Sequence, residues 1–225
     1  MNLRELIYRR YNISFSKSGD DIQLMKLINN RTPGTFVDIG CWHPVKASNS
    51  YYFSLREWKG ICIDPNPELH SLYKKIRPKD QFINCAIGQG KAMNYYALSE
   101  ANSSMNSLDY DFIKSHGLEH DIQSCTEVPL RPLEEILNER LSDACRLDFF
   151  DVDVEGFDLE VLKTNNWNRF RPKVILIESA VSIKDDLDSE ISLYLASVNY
   201  RLIGKSIINN DLGNLFFIDN TSKPQ

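Results

Sequence analysis

Acidic residues recur at the ends of the short apolar runs in this chain. Asp38 lies near the end of the run TFVDI, Asp64 follows ICI, and Glu178 ends VILIE. Asp153 and Glu155 end a further run, LDFFDVDV, and residues at this spacing point the same way on a strand. A carboxylate in such a place can accept hydrogen bonds from the hydroxyls of a ribose, or take a proton as a general base. The pattern therefore indicates a site that binds a nucleoside and moves a proton.

His43 is a candidate base of a different kind. It lies in the turn GCWHP, directly after the first apolar run. Its ordinary pKa of about 6.5 suits proton transfer near neutral pH. The sequence leaves open whether His43, Asp153 or Glu155 takes the proton, and Glu178 is a further candidate catalytic residue that could bind the acceptor or a metal.

The elements that must position these residues alternate between strand and helix. Apolar runs rich in β-formers predict strands, and the stretches between them predict helices. The predicted strands are 35–39, 61–63, 81–87, 91–98, 147–154, 174–178, 200–208 and 214–218. The predicted helices are 20–30, 49–58, 67–76, 133–141, 157–164 and 187–198.

Strands that are apolar throughout are typical of a parallel sheet covered by helices on both faces. The last two strands are joined by the turn-rich segment NNDLG, which predicts a C-terminal antiparallel hairpin. The sequence therefore predicts an α/β fold with a mostly parallel, Rossmann-like sheet.

The first turn narrows the class of ligand. In an open parallel sheet, ligands bind beyond the carboxyl ends of the strands. Dinucleotides need several glycines in this turn so that a pyrophosphate can approach the backbone, but only Gly40 is present and Trp42 and His43 follow it. A nucleoside without phosphates does not need the other glycines. S-adenosylmethionine (SAM) is such a ligand, and Asp64 would hold its ribose.

Several ordered motifs resemble those of the FkbM-type SAM-dependent methyltransferases. They are FVDIG, ICIDPNP, INCAIG and FFDVDVEGFDLEVL. The upstream segment SKSGDD is similar to the family's Ser-Gln-x-Gly-Glu-Asp, with Lys17 in place of Gln and Asp20 in place of Glu. The resemblance runs from about residue 14 to 180. It implies a class I methyltransferase sheet of seven strands, and O-methylation as the usual activity.

The resemblance also implies which residues contact SAM. Asp38 and Gly40 would line its amino-acid tail, and Ala86 and Ile87 its adenine. Cys41 stands where the family often has alanine. The full set of implied cofactor-binding residues is Asp38, Gly40, Cys41, Ser48, Asn49, Asp64, Asn66, Ala86 and Ile87.

The expected function is transfer of a methyl group from SAM to a hydroxyl of a sugar, glycolipid or polysaccharide precursor. The acceptor class comes from the family alone. Two alternatives stay open: an NAD-dependent oxidoreductase with a Rossmann-like domain, and a non-catalytic SAM-binding or interaction module. A divalent metal is possible but not expected, because no ligand spacing demands one.

The composition limits which partners and which cellular compartment we expect. The 26 basic and 31 acidic residues give a net charge of −5, which disfavours nucleic acid as a partner and an RNA methyltransferase as the function. Five cysteines without a CxxC motif favour a reduced, cytoplasmic protein. No apolar run approaches the roughly 20 residues of a membrane span, and the N-terminus lacks the features of a signal peptide.

We expect one domain over residues 1–225, with an N-terminal helical segment over 1–33. Residues 91–128 form a polar insertion that is too long for a routine connection. Long insertions often line active sites, so we expect this one near the acceptor. A homo-oligomer is possible.

Overall fold

The structure is a computed structural model, and it describes residues 7, 10–29, 33–142 and 145–221, without the side chains of 101 and 102. The strands are β1 (Thr35–Ile39), β2 (Lys59–Ile63), β3 (Gln81–Ile83), β4 (Ala86–Ile87), β5 (Ala92–Leu98), β6 (Ile122–Arg131), β7 (Phe149–Val152), β8 (Val174–Ser179), β9 (Tyr200–Asn209) and β10 (Leu212–Asp219). The helices are α1 (Asp20–Leu27), α2 (Tyr51–Ser54), α3 (Leu69–Ile76), α4 (Tyr110–Ser115), α5 (Leu133–Arg140), α6 (Asp158–Lys163), α7 (Ile183–Leu187) and α8 (Glu190–Ser197). Part of the expected 1–33 segment lies outside the described residues.

A seven-stranded sheet forms the centre of the fold, in the order β3-β2-β1-β7-β8-β10-β9. Its first five strands pair in parallel, and β10 runs antiparallel to both of its neighbours. The predicted class I sheet with a C-terminal antiparallel hairpin is therefore confirmed.

Helices cover both faces of this sheet because its central strands are buried on both sides. All residues of β1 and β7 are buried. Phe36 packs on one face with apolar residues of α1, α2 and α3, whereas Val37 and Ile39 pack on the other face with α5, α6 and α8. This alternation follows from the two-residue period of a strand.

The predicted third strand, 81–87, is wrong as one element. It divides into β3, which lies in the main sheet, and β4, which pairs in parallel with β6 in a separate sheet of order β4-β6-β5. Asn84 lies at the break, and its side-chain amide donates to the Asp64 carbonyl at 2.9 Å. That bond satisfies a carbonyl at the end of β2, so the chain can leave the main sheet there.

The polar insertion is more regular than its sequence indicates. The expected strand at 91–98 is present as β5, which pairs antiparallel with β6. Between them lie α4 and short 3₁₀ helices at Glu100–Met105 and Glu119–Asp121. The sequence did not predict β6, because most of the first half of this strand is exposed and carries no apolar alternation.

Two predicted helices are shorter than expected. The predicted helix 49–58 is reduced to α2, since Glu57 adopts a left-handed backbone conformation with φ 65° and closes the turn. The predicted helix 187–198 begins only at Glu190, because the Ser189 side chain caps it by accepting from the Ser192 amide at 3.2 Å. No helix among the described residues has the length and apolar character needed to cross a bilayer.

Arg77 anchors the ends of the first two strands from within the core. Its side chain is fully buried and pairs with the equally buried Asp80 at 2.7 Å. It also donates to the Ser50 hydroxyl at 2.9 Å and to the Cys62 sulfur at 3.3 Å. Ser50 in turn donates to the carboxylate of Asp38. The guanidinium therefore supports a candidate site residue through one intervening hydroxyl.

We expect Arg77→Met to lower the free energy of unfolding by about 3–5 kcal/mol, because it leaves the Asp80 carboxylate buried and unpaired. Urea denaturation measures this loss. Lys75→Met, at an exposed position on α3, is the matched control and should be nearly neutral. Equal stabilities for the two variants would contradict the anchoring role.

Candidate active site

Two adjoining cavities open where β1, β2, β7 and β8 end. The first contains about 580 Å³, including open solvent at its mouth. It is lined by five of the residues implied to bind the cofactor, namely Gly40, Asp64, Asn66, Ala86 and Ile87. The structure therefore brings the residues implied to bind the ribose and the adenine together at one wall.

Asp64 is held by the backbone at the mouth of the first cavity. Its Oδ1 accepts from the Asn66 amide at 2.8 Å, and its Oδ2 accepts from the Trp42 amide at 3.0 Å. Burial raises the pKa of Asp64 to about 6, although the two amide donors oppose the shift. Each carboxylate oxygen can accept a second hydrogen bond, so both remain available to a ribose diol.

Gly40 is required by the protein itself as well as by the ligand. Its φ is 79°, and a Cβ placed on it would lie 1.8 Å from the Asp153 carbonyl oxygen. A side chain there would force apart the ends of β1 and β7. The sequence predicted Gly40 from ligand approach alone, and this backbone contact was not foreseen.

The second cavity, of about 620 Å³ including open solvent, is lined by the other residues implied to bind the cofactor. These are Asp38, Cys41, Ser48 and Asn49, with Gly40 shared between the cavities. Asn49 donates to the carboxylate of Asp151 at 3.2 Å, which fixes the orientation of both side chains.

Three carboxylates meet on the far wall of the second cavity. Oxygens of Asp153, Glu155 and Glu178 lie within 4.8 Å of one another. Burial and the neighbouring acids raise the pKa of Asp153 well above its ordinary value and that of Glu155 to about 8. Burial also raises the pKa of Glu178, although the charge of Lys17 opposes this rise. This cluster, the acid triad below, can therefore hold and exchange protons near neutral pH.

A turn rather than a continuing strand assembles the acid triad. β7 ends at Val152, and Glu155 adopts a left-handed conformation with φ 52°. The Ser107 hydroxyl donates to the Glu155 carbonyl at 2.7 Å, and the Val154 amide donates to Asp158 at 3.2 Å. The insertion thus fixes the segment that carries Glu155, and the expected strand alternation is not what aligns these acids.

Two hydrogen bonds hold the ring of His43 within its own turn. Its Nδ1 accepts from the amides of Val45 at 3.0 Å and Lys46 at 2.9 Å. In the neutral ring Nε2 then carries the proton and can only donate. Within the described residues, His43 lines neither cavity. The structure therefore favours a role in shaping the turn, and catalysis by His43 stays a prediction without a geometric contact.

Several residues that line the cavities were not predicted as site residues. Trp42 lines both cavities and donates from its indole nitrogen to the Ser103 hydroxyl of the insertion at 3.3 Å. Ser104 also lines both cavities, which places the insertion beside the site. Further lining residues are Lys17, Leu69, Tyr95, Asn106, Asp151 and Phe157. The sequence shows that Lys17 departs from the family motif and that Asp151 is an acid at a strand end. No local sequence pattern marked either of them as a residue that lines a cavity.

The family described as the methyltransferase FkbM domain matches residues 38–202, well over half of the chain. The chain belongs to the FkbM methyltransferase family. SAM is accordingly its cofactor, and methyl transfer its reaction class. Among curated proteins, none matches the chain.

Solved structures with a similar fold have low sequence identity to this FkbM-family chain. A precorrin-6y C5,15-methyltransferase from Geobacter metallireducens is 12% identical with a TM-score of 0.48, covering 88% of this chain and 86% of its own. TrmK from M. capricolum, in complex with S-adenosylhomocysteine, is 16% identical with a TM-score of 0.47, covering 93% and 70%. A type 11 methyltransferase, described as putative, from Sulfolobus solfataricus is 12% identical with a TM-score of 0.49, covering 93% and 97%. These likenesses carry no information about the acceptor.

We expect S-adenosylhomocysteine to bind this protein less tightly as the pH falls through about 6, because Asp64 then loses the charge that strengthens its bonds to the ribose. Asp64→Asn should weaken binding by about 1–3 kcal/mol at neutral pH and abolish this pH dependence. Calorimetric titration between pH 5 and 8 measures both effects.

Asp111→Asn, at an exposed acid on α4, is the control and should keep the wild-type profile. A wild-type affinity that does not change with pH, or an unaltered Asp64→Asn variant, would refute the ribose assignment.

Proposed function

We propose that this FkbM-family protein methylates a hydroxyl group of a sugar, glycolipid or polysaccharide precursor. The observation that carries the proposal is the shared wall of the two cavities. Asp153 and Glu155 line both the cavity that fits the nucleoside and the acidic cavity beside it. The acid triad, which Glu178 completes, therefore borders the place where the methyl donor and the acceptor would meet.

The chemistry of the transfer explains why such a wall is useful. SAM carries an activated methyl group, so alignment of the nucleophile with it supplies much of the rate. A sugar hydroxyl is barely ionised at neutral pH, and a general base contributes typically 10²–10⁴-fold. The acid triad provides carboxylates for this purpose, and it lies at the ends of rigid strands.

The charge of the second cavity supports an uncharged acceptor rich in hydroxyls. Five carboxylates line it, from Asp38, Asp151, Asp153, Glu155 and Glu178, against the lysines Lys17 and Lys46. A protonated carboxyl group donates to a hydroxyl, and an ionised one accepts from it and repels anions, so this lining suits hydroxyl groups whichever of the five acids are charged. Phosphorylated acceptors and nucleic acids are disfavoured for the same reason.

Calorimetric titration with S-adenosylhomocysteine, and with NAD as the parallel control, is the first test. Micromolar binding of the former alone is expected. Methyl transfer from radiolabelled SAM to a panel of sugars, glycolipids and oligosaccharides then tests the acceptor class, with and without EDTA because no metal is expected to be required. Binding of NAD would revive the oxidoreductase alternative, and cofactor binding without turnover on any acceptor would favour a non-catalytic module.

Glu178→Gln should reduce kcat about 10²–10⁴-fold while the affinity for S-adenosylhomocysteine stays within about twofold, since the change removes a proton acceptor and Glu178 is not among the residues implied to bind the cofactor. Steady-state kinetics and calorimetry separate the two effects. Glu160→Gln, an exposed acid on α6, is the control and should remain fully active. Undiminished turnover in Glu178→Gln would remove Glu178 from the mechanism.

A further inference from the structure

Residues 14–21 form a tightly bonded loop, called here the N-terminal strap, that leads into α1. The carboxylate of Asp21 holds it closed, accepting from the Ser14 hydroxyl at 2.7 Å, the Phe15 amide at 2.6 Å and the Ile22 amide at 2.8 Å. Asp21 is fully buried. The strap therefore has one backbone shape, although it lies at the edge of the sheet.

The strap is docked beside Glu178. Its Asp20 is fully buried and accepts from the Ser18 hydroxyl at 2.6 Å and from the side-chain amide of Asn214 at 2.9 Å. Asn214 lies on β10, directly opposite Glu178 of β8 in the antiparallel register. The bond from Asp20 to Asn214 thus fixes the strap to the strand position that neighbours the acid triad.

Lys17 lies at the centre of this strap and lines the second cavity together with Glu155 and Glu178. The serines and aspartates on either side of it are hydrogen-bonded, whereas the Lys17 side chain is exposed and lines the cavity wall. Its charge lowers the pKa of both glutamates against the effect of burial. Lys46, the other lysine on the described wall of this cavity, lies on the turn shaped by His43.

The remaining charges around Glu178 are mostly negative. The charge of Glu178 raises the pKa of its acidic neighbours, which are Asp151, Asp153, Glu155 and Asp158. On β9, Lys205 pairs with Asp186 of α7 at 2.8 Å, with both side chains buried. Among the described residues that line this cavity, Lys17 is therefore the cation whose charge acts on Glu178.

We propose that Lys17 is a positioning residue, which holds Glu178 as a carboxylate ready to accept the proton of the acceptor hydroxyl. The inference rests on the proposed function. In the step concerned, the acceptor oxygen bonds to the methyl carbon, and the carbon–sulfur bond breaks with its electron pair going to sulfur. The hydroxyl proton passes to Glu178, and S-adenosylhomocysteine is released. Lys17 transfers no proton in this step and touches no reacting atom.

The direct test is a carbon-13 NMR titration of glutamate carboxyl groups in the full chain with S-adenosylhomocysteine bound. The signal of Glu178 is the one that Glu178→Gln removes. In Lys17→Gln we expect the pKa of Glu178 to rise by about half a unit or more, so that its ratio of charged to neutral form falls at least about threefold. Lys26→Gln, an exposed lysine on α1, is the matched control and should leave the signal unchanged.

Turnover gives a second readout once an acceptor is found. The acidic limb of the kcat/KM profile should move to higher pH in Lys17→Gln by the same shift, and Lys17→Arg should restore it, because arginine keeps the charge. The NMR titration needs no acceptor, so a failure of the proposed function and a failure of the role of Lys17 are distinguishable.

Two outcomes would overturn the proposal. One is an unchanged pKa of Glu178 in Lys17→Gln. The other is weaker binding of S-adenosylhomocysteine in that variant with unaltered binding of 5′-methylthioadenosine, which lacks the amino-acid tail. That result would make Lys17 a ligand for the cofactor's carboxylate.

Discussion

Burial of carboxylates at the carboxyl end of the sheet is the constraint on which the rest of this structure depends. A buried charge must find a partner or lose its charge. Asp38 has Ser50, which is held by Arg77, and Asp64 has two backbone amides. These two acids are supplied with donors and suit binding. The carboxyl groups of the acid triad have chiefly one another as neighbours, which suits them to exchange protons.

The elements outside the main sheet contribute to this difference between the acids that suit binding and the acid triad. The insertion reaches across the cavities and holds the carbonyl of Glu155 through Ser107, while Trp42 bonds back to the insertion. On the other side, the N-terminal strap is pinned through Asp20 and Asn214 next to Glu178. The strands therefore determine how deep in the site each acid lies. The insertion and the N-terminal strap determine its immediate surroundings.

The close approach at Gly40 joins the binding and reacting halves of the site. The turn after β1 rests against the carbonyl of Asp153, which carries one of the triad carboxylates. Any ligand seated on that turn therefore lies beside the acids. This contact explains why Asp153 and Glu155 line both cavities, and it ties the cofactor's position to the chemistry expected of the family.

The sequence by itself determined the sheet, its C-terminal hairpin and the acids at the strand ends, because apolar periodicity and turn residues are recorded locally. It also predicted Asp64, Ala86 and Ile87 as site residues, and these line the first cavity. Only the tertiary structure decided the break before β4, the bonded nitrogen of His43 and the place of Lys17. Each of these depends on which distant surfaces meet, and a local pattern of burial does not encode that.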